Sequence, residues 1–472
     1  MPADRQIFEN IRNWIYSNKA FTSIITVFAL AQLFILSRIW THPLIWDTAI
    51  YWGMGKALFS GGNIGLWEQF RPPMLPVVLG ALWKLGMPAE GFTRLLAVTI
   101  SVTGLTGVYV MVKDLFDRKT AAYTAGITAA TFTFVYYTNM LLTGIPASFL
   151  VFTSIYLATK KKIYLAGLLG GLAFLTRFPA AIVGPAAVFY LVYCNREELM
   201  EAFKASAVYT AGFFTLATPY LLANKYVYGS FLQPFIRGFS IPASTESSYM
   251  YGLYYMFNGV KVNPFLILLP VGLYFIVKYR KSSYYGFTSA FSLLYLFFAS
   301  FPRKETRFML LFLPLMALIS AEGLKQLMDG ELMDRVSFDR KNLAVTGLLV
   351  LAVLISAGIT YGQNRYVNEA RVDFYQAHSN LTGTVAANDA GIMPYGDFKY
   401  YPLPPLTLNS SYQAAQRTAD YISVNSCAWY CFPGDKDCKA SIQAFEQSVE
   451  RNYMNVYQDK GESCNYSIYR VN

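Results

Sequence analysis

Histidine and charged side chains are scarce in this sequence. The only two histidines among its 472 residues are His42 and His378, which argues against a histidine-based metal site or catalytic triad. Charged residues make up 14% of the chain, whereas about a quarter of the residues of a soluble protein are charged. Hydrophobic residues reach 54% and aromatic residues 17%, and the mean hydropathy is +0.33. This composition indicates an integral membrane protein with aromatic side chains at the membrane interface.

The net charge of +11 has an explanation that does not involve nucleic acid. Lysine and arginine fall in short clusters between apolar runs, which is the pattern of loop charges that orient membrane spans. A basic balance of this kind is not evidence for polyanion binding. We therefore predict membrane lipid, and no nucleic acid, among the partners.

Apolar runs that are long enough to cross a membrane, alone or shielded in a bundle, number about eleven. They cover 21–40, 95–112, 121–140, 146–158, 163–191 (two short spans hinged near 177–179), 207–222, 265–277, 285–301, 308–320 and 343–361. Basic clusters occupy alternate gaps, at the N-terminus and at 113–119, 160–162, 196–204, 278–281 and 325–341. By the positive-inside rule the N-terminus is cytoplasmic and the C-terminus lies outside. The first run lacks a small-residue cleavage site and is predicted to be an uncleaved span.

The chain is predicted to form a membrane domain over residues 1–362 and a small outer α+β domain over 363–472. The first outer segment, 41–92, contains an apolar stretch at 74–85 that is too short to span. We predict an interfacial helix there, anchored by Trp83 and Lys84. In the outer domain, 381–387 and 453–456 are predicted to be strands and 441–451 a helix.

The outer domain contains four of the five cysteines, namely Cys427, Cys431, Cys438 and Cys464. An even number of cysteines in an outer domain favours two disulfides, with the pairing left open. A zinc site is the alternative, but the spacing does not match a paired Cys-x-x-Cys ribbon and no histidine is close. Potential glycosylation sequons begin at Asn380, Asn409 and Asn465, and they support an outer location only weakly.

Asp47 is the acidic residue of greatest interest, because it directly follows the first span and has aromatic neighbours. One interpretation is a general base that takes a proton from an acceptor hydroxyl. The other is an N-cap for a helix that begins near Thr48. The residues alone favour neither. The remaining outer acids before the tail are Glu68, Glu90, Glu246 and Glu305.

Arg303, Lys304 and Arg307 place three cations on the outer face, against the positive-inside bias. The two arginines are four residues apart and would converge on one side if the segment is helical. Forked guanidinium groups bind phosphate oxygens well, so a lipid phosphate or pyrophosphate is the favoured ligand. The alternatives are headgroup anchoring and a local ion pair with Glu305. Arg71 is a further outer cation that could join them.

A glycine-rich segment, 167–178, precedes the predicted hinge and contains Arg177. Its glycines fit tight helix packing. No Gly-Lys-Ser/Thr sequence follows, which argues against a phosphate-binding loop. Arg177 is predicted to lie near the outer end of a span and to face the bundle interior.

The order of these segments resembles the GT-C glycosyltransferases, membrane enzymes that use polyprenyl-phosphate sugars, and especially the protein O-mannosyltransferase and aminoarabinose transferase group. The matching pieces are Asp47 after the first span, Phe-Arg-Pro-Pro-Met-Leu-Pro at 70–76, Thr-Arg-Leu-Leu at 93–96, Lys-Asp-Leu-Phe-Asp-Arg at 113–118, Gly-Gly-Leu-Ala-Phe-Leu-Thr-Arg at 170–177 and Pro-Arg-Lys-Glu-Thr-Arg-Phe at 302–308. The last piece is similar to the His-Lys-Glu-x-Arg-Phe motif of dolichol-dependent mannosyltransferases, with Arg303 replacing the histidine. The resemblance extends to about residue 325.

The resemblance implies a reaction in which an acceptor attacks the anomeric carbon of a polyprenyl- or dolichyl-phosphate sugar, with inversion. It assigns the catalytic base to Asp47, binding of the donor phosphate to Arg71, Arg303, Lys304 and Arg307, and supporting roles to Glu305, Arg94 and Arg177. A retaining mechanism would need a second carboxylate as nucleophile, and no partner is obvious. Mannose or another hexose is the expected sugar, and the acceptor is a glycan, a lipid or a protein.

Two features of the family are missing. Relatives often carry a second acid in the next outer loop, but 139–146 contains none, so we predict no obligatory protein-bound metal or other cofactor. The Trp-Trp-Asp signature of oligosaccharyltransferases is also missing, which disfavours transfer of a whole glycan to asparagine. A transporter or flippase of a lipid-linked sugar is the alternative function, and a non-catalytic scaffold is a third.

The short loops and the lack of a retention signal favour a prokaryotic plasma membrane over the endoplasmic reticulum, with the active site outside. An archaeal origin would fit the sequons and the disulfides together.

Overall fold

The computed structural model describes residues 9, 12–44, 46–243, 252–301, 303–330, 338–366, 368–404, 407–429, 431, 437–461 and 464–471. The chain forms two compact units. The helical unit comprises Met1–Ser37 and Leu95–Gly362, and the mixed unit comprises Arg38–Arg94 and Gln363–Asn472. The mixed unit therefore contains the predicted tail domain together with the first outer segment, which the sequence groups with the membrane domain. Glu246 and Pro302 lie outside the described residues.

In the described part of the chain, the predicted apolar runs form helices. They are Lys19–Ile39, Ala89–Leu115, Arg118–Ala130, Phe132–Thr138, Gly144–Thr159, Ile163–Thr176, Val183–Cys194, Leu199–Tyr228, Gln233–Ala243, Tyr254–Val262, Leu269–Lys278, Tyr285–Ser300, Leu313–Met328 and Phe338–Asn364. Three segments within the described ranges, Lys19–Ile39, Ala89–Leu115 and Arg340–Asn364, are long and apolar enough to cross a membrane. They support a membrane location, whereas the count of eleven spans and the orientation stay predictions.

The predicted hinge near 177–179 is confirmed. Helix Ile163–Thr176 ends before Arg177, which has extended backbone angles, and the 3₁₀ turn Phe178–Ile182 leads into the next helix. Pro179 lies in the first turn of this 3₁₀ helix and explains the interruption, because proline has no backbone N–H to continue the hydrogen bonds of the preceding helix and its ring would clash with the carbonyl four residues earlier.

Glycines allow two helices of the helical unit to approach closely, as their sequence predicts. A Cβ atom on Gly167 would lie 2.1 Å from the carbonyl oxygen of Tyr209, in the helix Leu199–Tyr228. A Cβ atom on Gly171 would lie 2.5 Å from the carbonyl oxygen of Phe213. Any larger residue at these positions would separate the two backbones.

A five-stranded sheet forms the centre of the mixed unit, in the order β2-β1-β3-β5-β4. The strands are β1 (Thr384–Ala387), β2 (Lys399–Pro402), β3 (Tyr421–Asn425), β4 (Met454–Lys460) and β5 (Asn465–Arg470). Strand β1 is parallel to β2 and β3, and β5 is antiparallel to β3 and β4. The helices of this unit are Trp46–Phe59, Met74–Lys84, Glu369–Ala377, Leu408–Thr418 and Cys438–Asn452. The predicted α+β fold of the tail is confirmed.

Two disulfides in the mixed unit settle the open cysteine assignment. Cys427 pairs with Cys464 and Cys431 pairs with Cys438, with Cα–Cα distances of 5.4 and 5.8 Å. The prediction of disulfides is thus confirmed, and the alternative of a zinc site is wrong because all four thiols are consumed.

The first outer segment is attached to an edge of this sheet. Gly65 forms a parallel bridge with Lys399 of β2, in which its N–H donates to the Phe398 carbonyl at 2.8 Å and its carbonyl accepts from Tyr400 N–H at 3.0 Å. A Cβ atom on Gly55 would lie 2.5 Å from the Gly80 nitrogen, so the helices Trp46–Phe59 and Met74–Lys84 pack in close contact. Strand pairing and helix packing therefore fix the helix that carries Asp47.

Candidate functional site

Asp47 lies in the first turn of the helix Trp46–Phe59 and pairs with Arg71. Arg71 Nη1 donates to Asp47 Oδ1 at 2.9 Å, and Arg71 Nε donates to Glu68 Oε2 at 2.5 Å. We call Asp47, Glu68 and Arg71 the acidic cluster. The helix begins at Trp46, so Asp47 is one residue inside it and does not occupy the predicted N-cap position.

The electrostatics of the acidic cluster keep Arg71 charged. Burial by itself would lower the pKa of Arg71, but the carboxylates of Asp47 and Glu68 outweigh it and raise that pKa above its ordinary value. The guanidinium group also lies 5.5 Å from the ring centre of Tyr51 and 5.6 Å from that of Phe70. Because two carboxylates share one cation, the cluster has a formal charge of −1. The Asp47 side chain is 24% exposed, so it is only partly buried.

Glu68 has no role in the interpretation of the sequence, although it is an outer acid. Its spacing of three residues from Arg71 is the signal that identifies the pair, since a turn at 69–70, in which Arg71 N–H donates to the Glu68 carbonyl at 3.3 Å, brings the two residues together. The structure thus adds a second carboxylate beside Asp47.

Lys56 is a second residue of this region that was not predicted from the sequence. Its Nζ donates to the carbonyls of Pro394 and Gly396 at 3.1 and 3.0 Å and pairs with Asp397 Oδ1 at 3.1 Å. The side chain is only 3% exposed, and burial lowers the pKa of Lys56 against the opposing effect of Asp397. A lysine inside an otherwise apolar helix was the available signal. Lys56 ties the helix of Asp47 to the turn at 394–397.

Arg94 supports the chain just ahead of Asp47. Its Nη2 donates to the Pro43 carbonyl at 3.0 Å, and the neighbouring Leu44 N–H donates to the Tyr395 hydroxyl at 3.1 Å. Arg94 is buried, and its described contacts are with backbone rather than with the acidic cluster. The supporting role of Arg94 stays a prediction.

In the helical unit, two arginines converge on one carboxylate. Arg303 Nε contacts Glu305 Oε1, and Arg307 Nε donates to Glu305 Oε2. We call Arg303, Glu305 and Arg307 the basic cluster. The premise of an α-helix here is wrong, because Arg303 lies in a bend and a 3₁₀ helix begins only at Thr306. The local ion pair with Glu305, one of the alternatives, is present and brings the cations together instead.

Lys304 faces the end of the preceding helix. Its Nζ donates to the carbonyls of Phe298, Ala299 and Phe301 at 2.9, 2.6 and 2.5 Å. An ammonium group has three N–H donors, so these carbonyls engage all of them. Lys304 therefore caps the helix Tyr285–Ser300 in this structure.

Arg177 lies beside the basic cluster. Its guanidinium group is 5.4 Å from the ring centre of Phe308, and that of Arg307 is 5.8 Å from the same ring. Arg177 Nη1 also donates to Thr143 Oγ1 at 3.1 Å. The segment 139–146, which lacks an acid, is therefore next to Arg177 and places a neutral hydroxyl there.

The structure divides the predicted site residues between the two units. Asp47, Arg71 and Arg94 belong to the mixed unit, whereas Arg177 and the predicted cations at 303–307 belong to the helical unit. Within the described ranges, no group of three or more His, Cys, Asp and Glu side chains is arranged to hold a metal ion. Independence from a bound metal stays a prediction.

Residues 70–222 match the family described as dolichyl-phosphate-mannose-protein mannosyltransferase. Among proteins of curated function, none shows significant sequence similarity to the chain. The crystal structure of ArnT from Cupriavidus metallidurans bound to undecaprenyl phosphate is similar, with a TM-score of 0.68 at 11% identity, over 94% of this chain and 97% of that chain. The apo Archaeoglobus fulgidus oligosaccharyltransferase gives a TM-score of 0.56 at 12% identity, over 85% and 69% of the two chains.

The same oligosaccharyltransferase tethered to an acceptor peptide containing the NVT sequon gives a TM-score of 0.54 at 14% identity, over 98% of this chain and 75% of that chain. The family match and these structures confirm the resemblance predicted from the sequence. The chain has the fold of the GT-C membrane glycosyltransferases.

Proposed function

We propose that the protein is a membrane glycosyltransferase that moves a sugar from a polyprenyl-phosphate carrier to an acceptor on the outer face of a prokaryotic plasma membrane. The matched family is named for mannose transfer from dolichyl phosphate, which supports mannose or another hexose as the sugar. The similar ArnT structure contains undecaprenyl phosphate, which supports a polyprenyl-phosphate carrier. The acceptor is a glycan, a lipid or a protein.

The acidic cluster is the observation that carries this proposal. We assign Asp47 the role of general base, because it is a partly exposed carboxylate on a well-packed helix and shares its counter-ion, Arg71, with Glu68. Asp47 takes the proton of the acceptor hydroxyl as that oxygen bonds to the anomeric carbon. The bond between the anomeric carbon and the phosphate oxygen breaks, and the phosphate leaves with the electron pair. A single displacement of this kind inverts the configuration.

The basic cluster is assigned to the donor phosphate. Two guanidinium groups face one carboxylate, so these three side chains have a formal charge of +1, and guanidinium groups bind phosphate oxygens well. Cations placed where negative charge develops lower the barrier to departure of the phosphate. Arg71 is already engaged by two carboxylates, so its proposed contribution is to hold Asp47.

The substitution Asp47→Asn tests the proposal. With purified full-length protein, radiolabelled polyprenyl-phosphate mannose and an acceptor extract, we expect transfer to fall by about 10²- to 10⁴-fold, because the proton acceptor is lost. The matched control is Asp459→Asn, which removes a half-buried carboxylate of the same unit from strand β4 and should retain transfer. Full activity of Asp47→Asn would remove Asp47 from the mechanism. Labelled lipid-linked sugar that crosses vesicles without transfer would instead support the transporter.

A further inference from the structure

A groove on the helical unit is not explained by sugar transfer. It has a volume of about 620 Å³ and lies between the helices Val183–Cys194 and Tyr285–Ser300. Pro185, Phe189 and Leu293 supply its apolar wall. Phe189 is 62% exposed, so the groove is open at its side. Its size is within the range of small-molecule sites, and its wall suits a hydrocarbon chain.

One end of the groove is aromatic and positively charged. The rings of Tyr193 and Tyr285 meet edge to face at 5.0 Å, and the Arg196 guanidinium group lies 4.7 Å from the ring centre of Tyr193. Arg196 and Arg280 both interact electrostatically with Tyr285. Two cations from different parts of the chain are therefore near Tyr285, which lines one end of the groove.

These two arginines differ from nearby cations in their partners. Lys281 pairs with Glu322, and Lys204 pairs with Glu201. Neither Arg196 nor Arg280 forms an ion pair with a carboxylate in the described part of the chain. Their charge is thus available to an anion from outside the protein.

The backbone at Arg280 gives a second, independent indication. The helix Leu269–Lys278 ends in a Schellman motif, in which Arg280 N–H donates to the Val277 carbonyl and Lys281 N–H to the Ile276 carbonyl, both at 3.1 Å. Arg280 occupies the left-handed position of this motif, with φ at +45°. Glycine fits that position without strain, whereas an arginine adopts it at a cost in free energy. The chain retains a guanidinium group where glycine would be the more stable choice.

We propose that this groove binds an anionic phospholipid, with an acyl chain along Phe189 and Leu293 and the phosphate between Arg196 and Arg280. Charge complementarity selects an anionic over a zwitterionic lipid, and the open side gives the bilayer direct access. Both arginines lie in segments that the sequence predicts to be cytoplasmic, so the lipid comes from the inner leaflet. The site does not depend on the proposed sugar transfer.

The substitution Arg280→Gly separates binding from stability. We expect the purified full-length variant to melt at a higher temperature than the parent in neutral detergent, because glycine relieves the backbone strain. Its affinity for phosphatidylglycerol, measured by native mass spectrometry, should fall about tenfold, as expected for loss of a charge-assisted hydrogen bond. Arg280→Gln keeps the strained backbone and removes only the charge, so it should lose affinity without gaining stability.

Lys161→Gly is the matched control. Lys161 occupies the same position of a second Schellman motif, with φ at +57°, at the end of the helix Gly144–Thr159, and it does not line the groove. This variant should gain stability and keep the affinity for phosphatidylglycerol. Three results would each overturn the proposal. The affinity for phosphatidylglycerol could fall equally in Lys161→Gly and Arg280→Gly, phosphatidylcholine could bind as tightly as phosphatidylglycerol, or undecaprenyl phosphate could bind in preference to both.

Discussion

The acidic cluster of the mixed unit and the basic cluster of the helical unit use the same side-chain types in opposite proportion. In the acidic cluster, one arginine lies between two carboxylates. In the basic cluster, one carboxylate lies between two arginines. In each, the central residue fixes the outer pair by ion pairs, so the three side chains have a formal charge of −1 in the acidic cluster and +1 in the basic cluster. The sign of that charge decides which substrate group each cluster suits.

A carboxylate that shares its counter-ion can still accept a proton, and an arginine that shares its counter-ion can still donate to phosphate. In this proposal the central residues, Arg71 and Glu305, are positioning groups. Their neighbours, Asp47 and Arg307, are the groups proposed to meet substrate.

The largest effect after loss of Asp47 itself is expected for Arg71→Leu. Without the shared cation, Asp47 and Glu68 repel each other in a half-buried site, and protonation of one of them becomes favourable. We expect kcat/KM to fall by about 10²- to 10³-fold at neutral pH, since the base is lost or misplaced. The acid limb of the pH–rate profile should move to higher pH.

Arg71→Lys is the control for this variant, because it keeps the charge and loses the fork that reaches both carboxylates. It should show a smaller loss than Arg71→Leu and a nearly unchanged acid limb. An unchanged acid limb in Arg71→Leu as well would contradict the proposed link between Arg71 and the base.

The two units should also respond differently to acid, because both histidines belong to the mixed unit. His378 is fully buried, with Nε2 2.8 Å from Ser423 Oγ and Nδ1 2.7 Å from the Phe374 carbonyl. Burial lowers the pKa of His378 from 6.5 to about 4. Its stabilising contribution is therefore complete above pH 6.5 and is lost as the pH falls towards 4, by roughly 3 kcal/mol in free energy of unfolding.

Melting curves between pH 7 and pH 4 measure this effect. The His378→Gln variant cannot acquire the charge, so its melting temperature should depend less on pH than that of the parent. His42→Gln serves for comparison. Partial burial and the nearby Arg94 also lower the pKa of His42, but His42 is less buried than His378, so this variant should reduce the pH dependence less than His378→Gln does. Identical curves for the parent and His378→Gln would exclude His378 as the acid-sensitive group.

Local signals in the sequence predicted the features of the structure that depend on nearby residues. Apolar runs predicted the helices, Pro179 marked the hinge, and the location of four cysteines predicted disulfides. The Glu68–Arg71 pair could have been predicted in the same way, from its spacing of three residues. These features depend on neighbours within a few residues, where pattern and geometry are closely linked.

Contacts between distant segments could not be predicted. The partners of Lys56 follow it by more than three hundred residues, and Gly65 meets the strand edge at Lys399. No periodicity in one segment encodes such pairing. Convergence of Arg303 and Arg307 was predicted from helical spacing that the backbone does not adopt, because Glu305 holds both arginines in a non-helical segment.

A more moderate effect is expected for Arg307→Gln in the basic cluster. Loss of one charge-assisted hydrogen bond to phosphate corresponds to about 1.5–3 kcal/mol, so kcat/KM for the lipid-linked sugar should fall by about 10- to 100-fold. Inhibition by free polyprenyl phosphate should weaken by a similar factor. Arg303→Gln should have a smaller effect, because Arg303 is 45% exposed and Arg307 only 21%. Undiminished inhibition of Arg307→Gln would place the phosphate elsewhere.

The smallest effect distinguishes Lys304 from its arginine neighbours. Sequence alone groups the three cations as phosphate ligands, but the Lys304 ammonium group donates to three carbonyls at the end of a helix. Lys304→Met removes these hydrogen bonds and should therefore lower the free energy of unfolding by about 1 kcal/mol. The loss is small because water can hydrogen-bond to the carbonyls once the ammonium group is removed. The KM for the lipid-linked sugar should change less than in Arg307→Gln. A rise in KM equal to that of Arg307→Gln would show that Lys304 leaves the helix end to bind phosphate. Lys304 would then add its positive charge to that of the two arginines of the basic cluster.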